Sequence, residues 1–400
     1  MKNDAIRIMM RNTKTIILLA VLILASLAHL YAADTQCVWT GIEKIIAVGD
    51  IHGDYEAFIE ILEGTGLIDK KLHWTGGKTH LVQIGDVLDR GDYAKEILDL
   101  LMKLEKEAEK AGGKVHMLIG NHEELNITGL IFNREEFTIR QFVSFLPDGY
   151  RERQVKKFRK MLGNNPTKET GLYASLNIEL MPYWENMFNE LKASRRHPAR
   201  REYLNNFNKK YGKWILKQNA VIKINNIIFV HGGISERFSK WELKRINNRL
   251  RLELEDLRRA AMNLTRPKIQ DYQRQIVYVP DGPYWYRGFY EMDQEENKET
   301  VDTILKNLEA EYMVIAHTPQ VIKSKEDMQL FQGRIWIIDT GISKLYREHL
   351  QGRLSALIIN KGEFDVWGLN NEKKESLSHY NFYILFFWGL VSIKIPSSYK

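Results

Sequence analysis

Six short apolar runs end in side chains that bind metals or protons, and this pattern restricts the fold more than anything else in the chain. "IIAVGD" closes on Asp50, with His52 two residues later. "HLVQIGD" closes on Asp86, and "VHMLIGN" on Asn121, with His122 next. "IIFVHGG" carries His231, "YMVIAHT" carries His317, and "IWIIDTG" carries Asp339. Each run has strand length, is rich in Ile and Val, and is bounded by glycine or a polar turn. Ligands of layered α/β proteins collect at the carboxyl ends of strands. Six such ends are therefore expected to face one another.

The intervening segments supply helices. "YEAFIEILEGTG" and "YAKEILDLLMKLEKEAEKAGG" have apolar residues at three- and four-residue spacing and stop at glycines. The alternation of strand and helix over residues 40–125, and again beyond 220, predicts sheets covered by helices. From about 126 to 220 the pattern changes to a tract rich in Arg, Lys, Tyr and Trp, expected to be a mainly helical insertion that caps the site. Its most basic point, "SRRHPARR", reads as a solvated loop. A second helical stretch, with Trp241, Leu243, Ile246, Leu250, Leu254 and Leu257 near helical spacing, needs only a packing face to explain it.

Formal charge is +7 over 400 residues. Residues 1–33 hold Lys2, Arg7, Arg11 and Lys14 against Asp4, a net +3, which leaves +4 for the rest. So small a residue of charge gives no reason to expect nucleic acid. The same front segment is basic, then apolar in "TIILLAVLILASLA", then small at Ser26 and Ala28. That order is expected of a cleaved signal peptide, the alternative being an N-terminal membrane anchor. Either way the protein is expected to be exported: periplasmic, in the secretory pathway, or membrane-anchored. Cys37 is the single cysteine, so packing and metal, not a disulfide, must hold the core. After residue 365 a polar linker precedes "YNFYILFFWGLVSI", an apolar tail short for a bilayer span, which offers a second route to membrane contact.

The strand ends offer a specific chemistry. Asp50 and His52 can point at one cation, Asp86 can bridge it to a second, and Asn121, His231 and His317 can complete the second. Mixed oxygen and imidazole ligands suit Mn, Fe, Zn or Co better than Ca or Mg. Two metals roughly 3.5–4 Å apart lower the pKa of a water between them and clamp phosphoryl oxygens. A leaving alkoxide needs a proton, which His122 can give if Asp89 orients its imidazole. Negative oxygens need donors, which Arg90 can supply, with Arg287 of "GPYWYRG" as a second. Asp339 reads as a neighbour of the ligands.

In this order, "GDIHG", "GDVLDRG", "GNHE", "HGG" and "AHT" resemble the motif set of the calcineurin-like metallophosphoesterases, the first three in the form shared by phosphoprotein phosphatases. The long gap before "HGG", with "DGPYWYRG" and "IIDTGIS", looks most like the Shewanella-like protein phosphatase branch. It also looks something like the symmetrical diadenosine tetraphosphate hydrolases.

The resemblance implies a four-layer αββα β-sandwich over residues 40–365 and two divalent or trivalent metal ions, Mn, Fe or Zn. Asp50, His52 and Asp86 match ligands of the first ion; Asp86, Asn121, His231 and His317 match those of the second. His122 matches the proton donor and Asp89 its partner. Arg90 matches a phosphate-binding arginine, with Arg287 as a further match. The implied activity is hydrolysis of phosphate monoesters by a metal-bridging hydroxide. Phosphorylated protein (phospho-Ser/Thr or phospho-Tyr) is the first substrate class, and small phosphate esters follow. Dinucleoside polyphosphate hydrolysis and a non-catalytic metal-binding scaffold are the alternatives, the second disfavoured because a scaffold has no use for His122 and Asp89.

Overall fold

All six ligand-bearing runs form strands, and their order in two sheets explains why their ends meet. The structure is a computed structural model that describes residues 36–162, 187–190, 193, 196–268 and 275–369. The expected leader at 1–33, the apolar tail and part of the insertion lie outside the described residues.

One sheet contains β2 (Lys44–Val48), β3 (His80–Gln83), β4 (Lys114–Met117), β10 (Ala356–Asn360) and β11 (Glu363–Trp367), ordered β11-β10-β2-β3-β4. β2, β3 and β4 are parallel neighbours, so Asp50, Asp86 and Asn121 leave the sheet at the same edge. The other sheet contains β1 (Val38–Trp39), β5 (Val221–Ile224), β6 (Ile227–Val230), β7 (Tyr312–Ile315), β8 (Gln329–Leu330) and β9 (Ile335–Ile337), ordered β1-β5-β6-β7-β9-β8. Here β6, β7 and β9 are parallel neighbours, and they deliver His231, His317 and Asp339 together.

β3 and β6 are buried at every residue, as expected of strands covered on both faces. On the inner faces the sheets touch through rings. Trp336 of β9 stacks on Phe364 of β11 with centroids 4.7 Å apart, and Trp39 of β1 meets His116 of β4 edge-on at 4.4 Å. On the outer faces α1 (Tyr55–Gly64) buries Ala57, Phe58, Ile61 and Leu62, while α2 (Ala94–Lys110) packs against β4 with Ile97, Leu98, Leu101 and Leu104 buried. α7 (Leu243–Asn263) packs against β5 with Leu243, Ile246, Leu250, Leu254 and Leu257 buried. The layers are helix, sheet, sheet, helix.

Three expected boundaries shift. β1 lies before residue 40, and β11 runs to Trp367, past the expected linker start at 366. Short edge strands carry too few alternations to be recognised from sequence. An insertion starting at Asn126 would cut α3 (Asn121–Thr128), which extends the "GNHE" motif by helical hydrogen bonding up to Gly129. The described parts of the insertion include α4 (Ile139–Ser144), α5 (Asp148–Leu162) and α6 (Pro198–Phe207).

Candidate active site at the strand ends

The loops that follow β2 and β3 cross at van der Waals distance. A Cβ on Gly53 would lie 2.6 Å from the Gly91 carbonyl carbon, and one on Gly91 would lie 2.3 Å from His52 O, so glycine is required at the crossing. His52 N and Ile51 N donate to Asp86 O at 3.0 and 3.1 Å. This bracing holds unusual backbone: His52, Asp86, Asp89, Arg90 and His317 all have positive φ, between 46° and 71°. Non-glycine residues rarely adopt that region, and such conformations concentrate at functional sites.

The side chains converge and are buried: Asp50, His52, Asp86, Asn121, His122, His231, His317 and Asp339. His52 Nδ1 faces Leu88 O at 3.0 Å and His231 Nδ1 faces Ile84 O at 3.1 Å. With Nδ1–H donating to those carbonyls, each ring turns its Nε2 lone pair inward. His231 Nε2 lies 3.3 Å from Asp86 Oδ2 and 3.0 Å from Asn121 Oδ1. His52 Nε2 lies 3.9 Å from both Asp50 Oδ2 and Asp86 Oδ2. Asp50 Oδ1 reaches the second sheet, 3.7 Å from His231 Nδ1 and 3.5 Å from His317 N.

These groups fit a metal pair. His317 Nε2 and Asp339 Oδ2 are buried with no hydrogen-bond partner, and a buried polar atom without a partner is costly unless something else satisfies it. Ligand atoms of His52, Asp86 and His122 lie within 4.8 Å of one another, as do those of Asp86, His231 and His317. Asp86 belongs to both groups, the position a bridging carboxylate requires. His122 takes the place in the first group where Asp50 was expected, but its Nδ1 is already committed to Asp89.

The electrostatics fit as well. Burial, then the charges of Asp339 and Asp86, raise Asp50 well above the ordinary carboxylate value, and burial pushes Asp339 up to about 6. Burial would raise Asp86 too, but the surrounding His231, His122 and His52 imidazoles hold it well below the usual range. Burial with the neighbouring Arg90 and His122 charges keeps His52 neutral, the form that binds metal.

Beside these groups stands an acid dyad. His122 Nδ1 is 2.7 Å from Asp89 Oδ2 and His122 Nε2 is 3.9 Å from Asp86 Oδ2. Burial would depress the imidazole, but the charge of Asp86 and the Asp89 hydrogen bond raise its pKa above the ordinary histidine value. Arg90 is half-buried, with Nη1 2.7 Å from His52 Nε2 and in contact with Tyr346 OH. Its guanidinium lies over the Tyr346 ring, 5.2 Å from the centroid. Arg287 is exposed and donates from Nη1 to His317 O at 3.1 Å and Thr318 Oγ1 at 2.5 Å, which places it at the rim next to His317.

Several residues that matter here escape a reading of the sequence. Glu123 Oε2 accepts from Asp86 N at 2.8 Å and Gly120 N at 2.9 Å, and Oε1 accepts from Val87 N at 2.9 Å. It ties the "GDVLDRG" loop to the "GNHE" helix, and a helix-start pattern with Glu at the third position was the available signal. Burial and then the Asp86 charge push it up to about 7. Tyr346, on α8 (Lys344–His349), carries no sequence mark at all.

A family model described as calcineurin-like phosphoesterase matches residues 43–321. Shewanella-like protein phosphatase 1 of Plasmodium berghei (strain Anka) is 30% identical over 347 residues, covering 85% of this chain and 78% of the relative. Shewanella-like protein phosphatase 2 of Arabidopsis thaliana is 36% identical over 52% of this chain and 51% of its own length. Among solved structures, the cold-active protein-tyrosine phosphatase of a psychrophile Shewanella sp. superposes with a TM-score of 0.55 at 22% identity, over 84% of this chain and 82% of that one, and so shares the fold. The chain belongs to the calcineurin-like phosphoesterase family, on the branch of the Shewanella-like protein phosphatases.

Proposed function

We propose that this phosphatase acts on phosphorylated protein, phosphotyrosine included, and that its metal-ion pair is drawn from Mn, Fe and Zn. The observation that carries the reading is a buried acid dyad, His122 Nδ1 to Asp89 Oδ2 at 2.7 Å, set against two ligand groups that share Asp86. A dyad of this kind serves a reaction with a leaving group to protonate. The relatives named as protein phosphatases support the substrate class.

In this reading Asp50, His52 and Asp86 would hold one cation, and Asp86, Asn121, His231 and His317 would hold the other. Such a pair supplies a water acid enough to attack phosphorus and positive charge for the phosphoryl oxygens. The remaining work falls to side chains. Asp89 fixes the proton of His122 on Nδ1, so the transferable proton is the one on Nε2, which faces Asp86 and the inner site. That proton passes to the ester oxygen as its bond to phosphorus breaks. Arg90, beside His52, and Arg287, beside His317, supply donors for the non-bridging oxygens. The basic and then apolar run over residues 1–33 supports export, by cleavage or anchoring, and the apolar tail supports contact with a membrane surface. Among the described residues no helix is long and apolar enough to cross a membrane.

The test is hydrolysis of phenyl phosphate with added Mn²⁺. His122→Asn is expected to lose about 100-fold or more; an unchanged rate would overturn the acid assignment, and absence of turnover by the wild type would leave a metal-binding scaffold as the better account. Phosphotyrosyl peptide, phosphoseryl peptide and diadenosine tetraphosphate then sort the substrates. Preference for diadenosine tetraphosphate would overturn the protein-phosphatase reading.

A further inference from the structure

The dyad is gripped from behind by the helical insertion. Gln141 on α4 holds Asp89 at two points: Nε2 donates to Asp89 Oδ1 at 2.6 Å, and Oε1 accepts from Asp89 N at 2.7 Å. The second contact pins a residue whose φ is 69°, a backbone state that needs outside support. Asn126 Nδ2 donates to Asp89 Oδ2 at 2.8 Å and to His122 O at 2.9 Å, and so touches both members of the dyad. Asn126 Oδ1 accepts from Tyr203 OH at 2.6 Å and from Gln141 Nε2 at 3.2 Å. Asp89, Asn126, Gln141 and Tyr203 are each 0% exposed.

Donors and acceptors match along the whole chain of contacts. Tyr203 gives its only proton to Asn126, which fixes the Asn126 amide with its nitrogen toward Asp89. Asp89 then receives His122, Asn126 and Gln141 together, and these contacts leave its carboxylate no freedom to rotate away from His122. Aligned hydrogen bonds of this kind reinforce one another in a low-dielectric interior. The Tyr203 ring cannot swing out, because Phe132 and Phe137 meet it edge-on with centroids at 5.3 Å and Phe207 stacks on it at 5.8 Å. The α6 helix that carries it is tied to the end of α3 as well, by Asn208 Nδ2 to Ile127 O at 3.1 Å.

We propose that Gln141 and Tyr203, both carried by the insertion, are positioning residues that act through Asn126 and Asp89 to aim the His122 proton at the leaving oxygen. The insertion therefore belongs to the acid machinery and is more than a cover over the site. The proposal rests on the phosphatase reading of His122.

The experiment compares two esters that differ in their need for an acid. p-Nitrophenolate leaves readily without a proton, whereas phenolate from phenyl phosphate requires one. Tyr203→Phe removes one oxygen from an aromatic cage, and Gln141→Met keeps side-chain length while removing both polar atoms. Each is measured with Mn²⁺ alongside His122→Asn, with metal content and far-UV circular dichroism recorded. The expected result is a fall of about tenfold or more in kcat for phenyl phosphate and less than about threefold for p-nitrophenyl phosphate, at unchanged KM and metal content. Gln141→Met is expected to be the more severe, because it releases the Asp89 backbone as well. An equal loss on both esters, or none on either, with His122→Asn still selective for phenyl phosphate, would overturn the positioning role alone. If His122→Asn itself shows no loss on phenyl phosphate, the acid assignment fails and the proposal with it.

Discussion

Gly120, the residue before Asn121, has no freedom to be anything else, and a single methyl there tests how tightly the centre is built. Its backbone is extended at φ −99° and ψ −177°, which alanine accepts, so no backbone strain enters. What alanine meets is the bridging residue: its Cβ would lie 2.3 Å from Asp86 Oδ1, 2.7 Å from Asp86 N and 3.0 Å from His231 Cε1. The first separation falls about 1 Å short of ordinary contact. Asp86 cannot retreat by its backbone, because Asp86 N is held by Glu123 at 2.8 Å and Asp86 O by His52 N at 3.0 Å. The carboxylate must rotate instead.

Ligand positions tolerate shifts of only about 0.2 Å, so a displacement several times larger removes the shared ligand from both ions. Gly120→Ala is expected to weaken metal binding by about 10–100-fold. The overpacked site should also lose about 1–3 kcal/mol of stability, offset by about 0.4–1 kcal/mol from the stiffer unfolded chain. The assay is calorimetric Mn²⁺ titration of the chelator-treated protein, with urea unfolding of the same sample. Wild-type affinity and stoichiometry in Gly120→Ala would refute the close approach of the "GNHE" loop to Asp86.

Other outcomes follow from the same contacts. Asp86→Asn is expected to lose bound metal as well as rate, because one carboxylate serves both ligand groups; full occupancy by inductively coupled plasma analysis would contradict that. Glu123→Ala orphans the buried N–H groups of Asp86, Val87 and Gly120. Each unsatisfied donor costs about 1–3 kcal/mol, so urea unfolding should show a loss of at least about 3 kcal/mol. Away from the centre, His116 Nε2 and His80 Nδ1 meet at 3.0 Å. Burial, then the Lys114 charge, lower His80 to about 4, and burial with the His80 and Lys114 charges holds His116 well below the ordinary histidine value. The unfolded chain therefore binds more protons, and stability that is complete above about pH 6.5 is lost as pH falls toward about 4. His80 contributes on the order of 1 kcal/mol of this by pH 5. A His80→Leu, His116→Phe variant should have a urea midpoint less sensitive to acid than the wild type.

The sequence discloses what is local. Each ligand run combines a hydrophobic stretch with its terminal Asp, Asn or His inside a few residues, so strands and ligands are visible together. The amphipathic pattern of Ala94–Lys110 is visible for the same reason. What holds the ligands in place is remote. Glu123 reaches Asp86 across 37 residues, Gln141 reaches Asp89 across 52, and Tyr203 reaches Asn126 across 77. Tyr346 touches Arg90 from 256 residues away. Gln and Tyr in a polar helical tract carry no local sign of burial, so the insertion reads as a cover although Gln141 ends on Asp89 of the acid dyad and Tyr203 on the Asn126 that holds it. The edges of the sandwich are hidden differently: β1 is two residues long and joins β5 across the chain, too short for any period to show.

The most direct test is a crystal structure of the protein loaded with Mn²⁺ and phosphate, with the ions located by anomalous scattering. The account predicts two cations about 3.5–4 Å apart, an Asp86 oxygen on both, His52 on one, His231 and His317 on the other, and phosphate reaching Arg90. A single cation, or a pair bound away from Asp86, would contradict it.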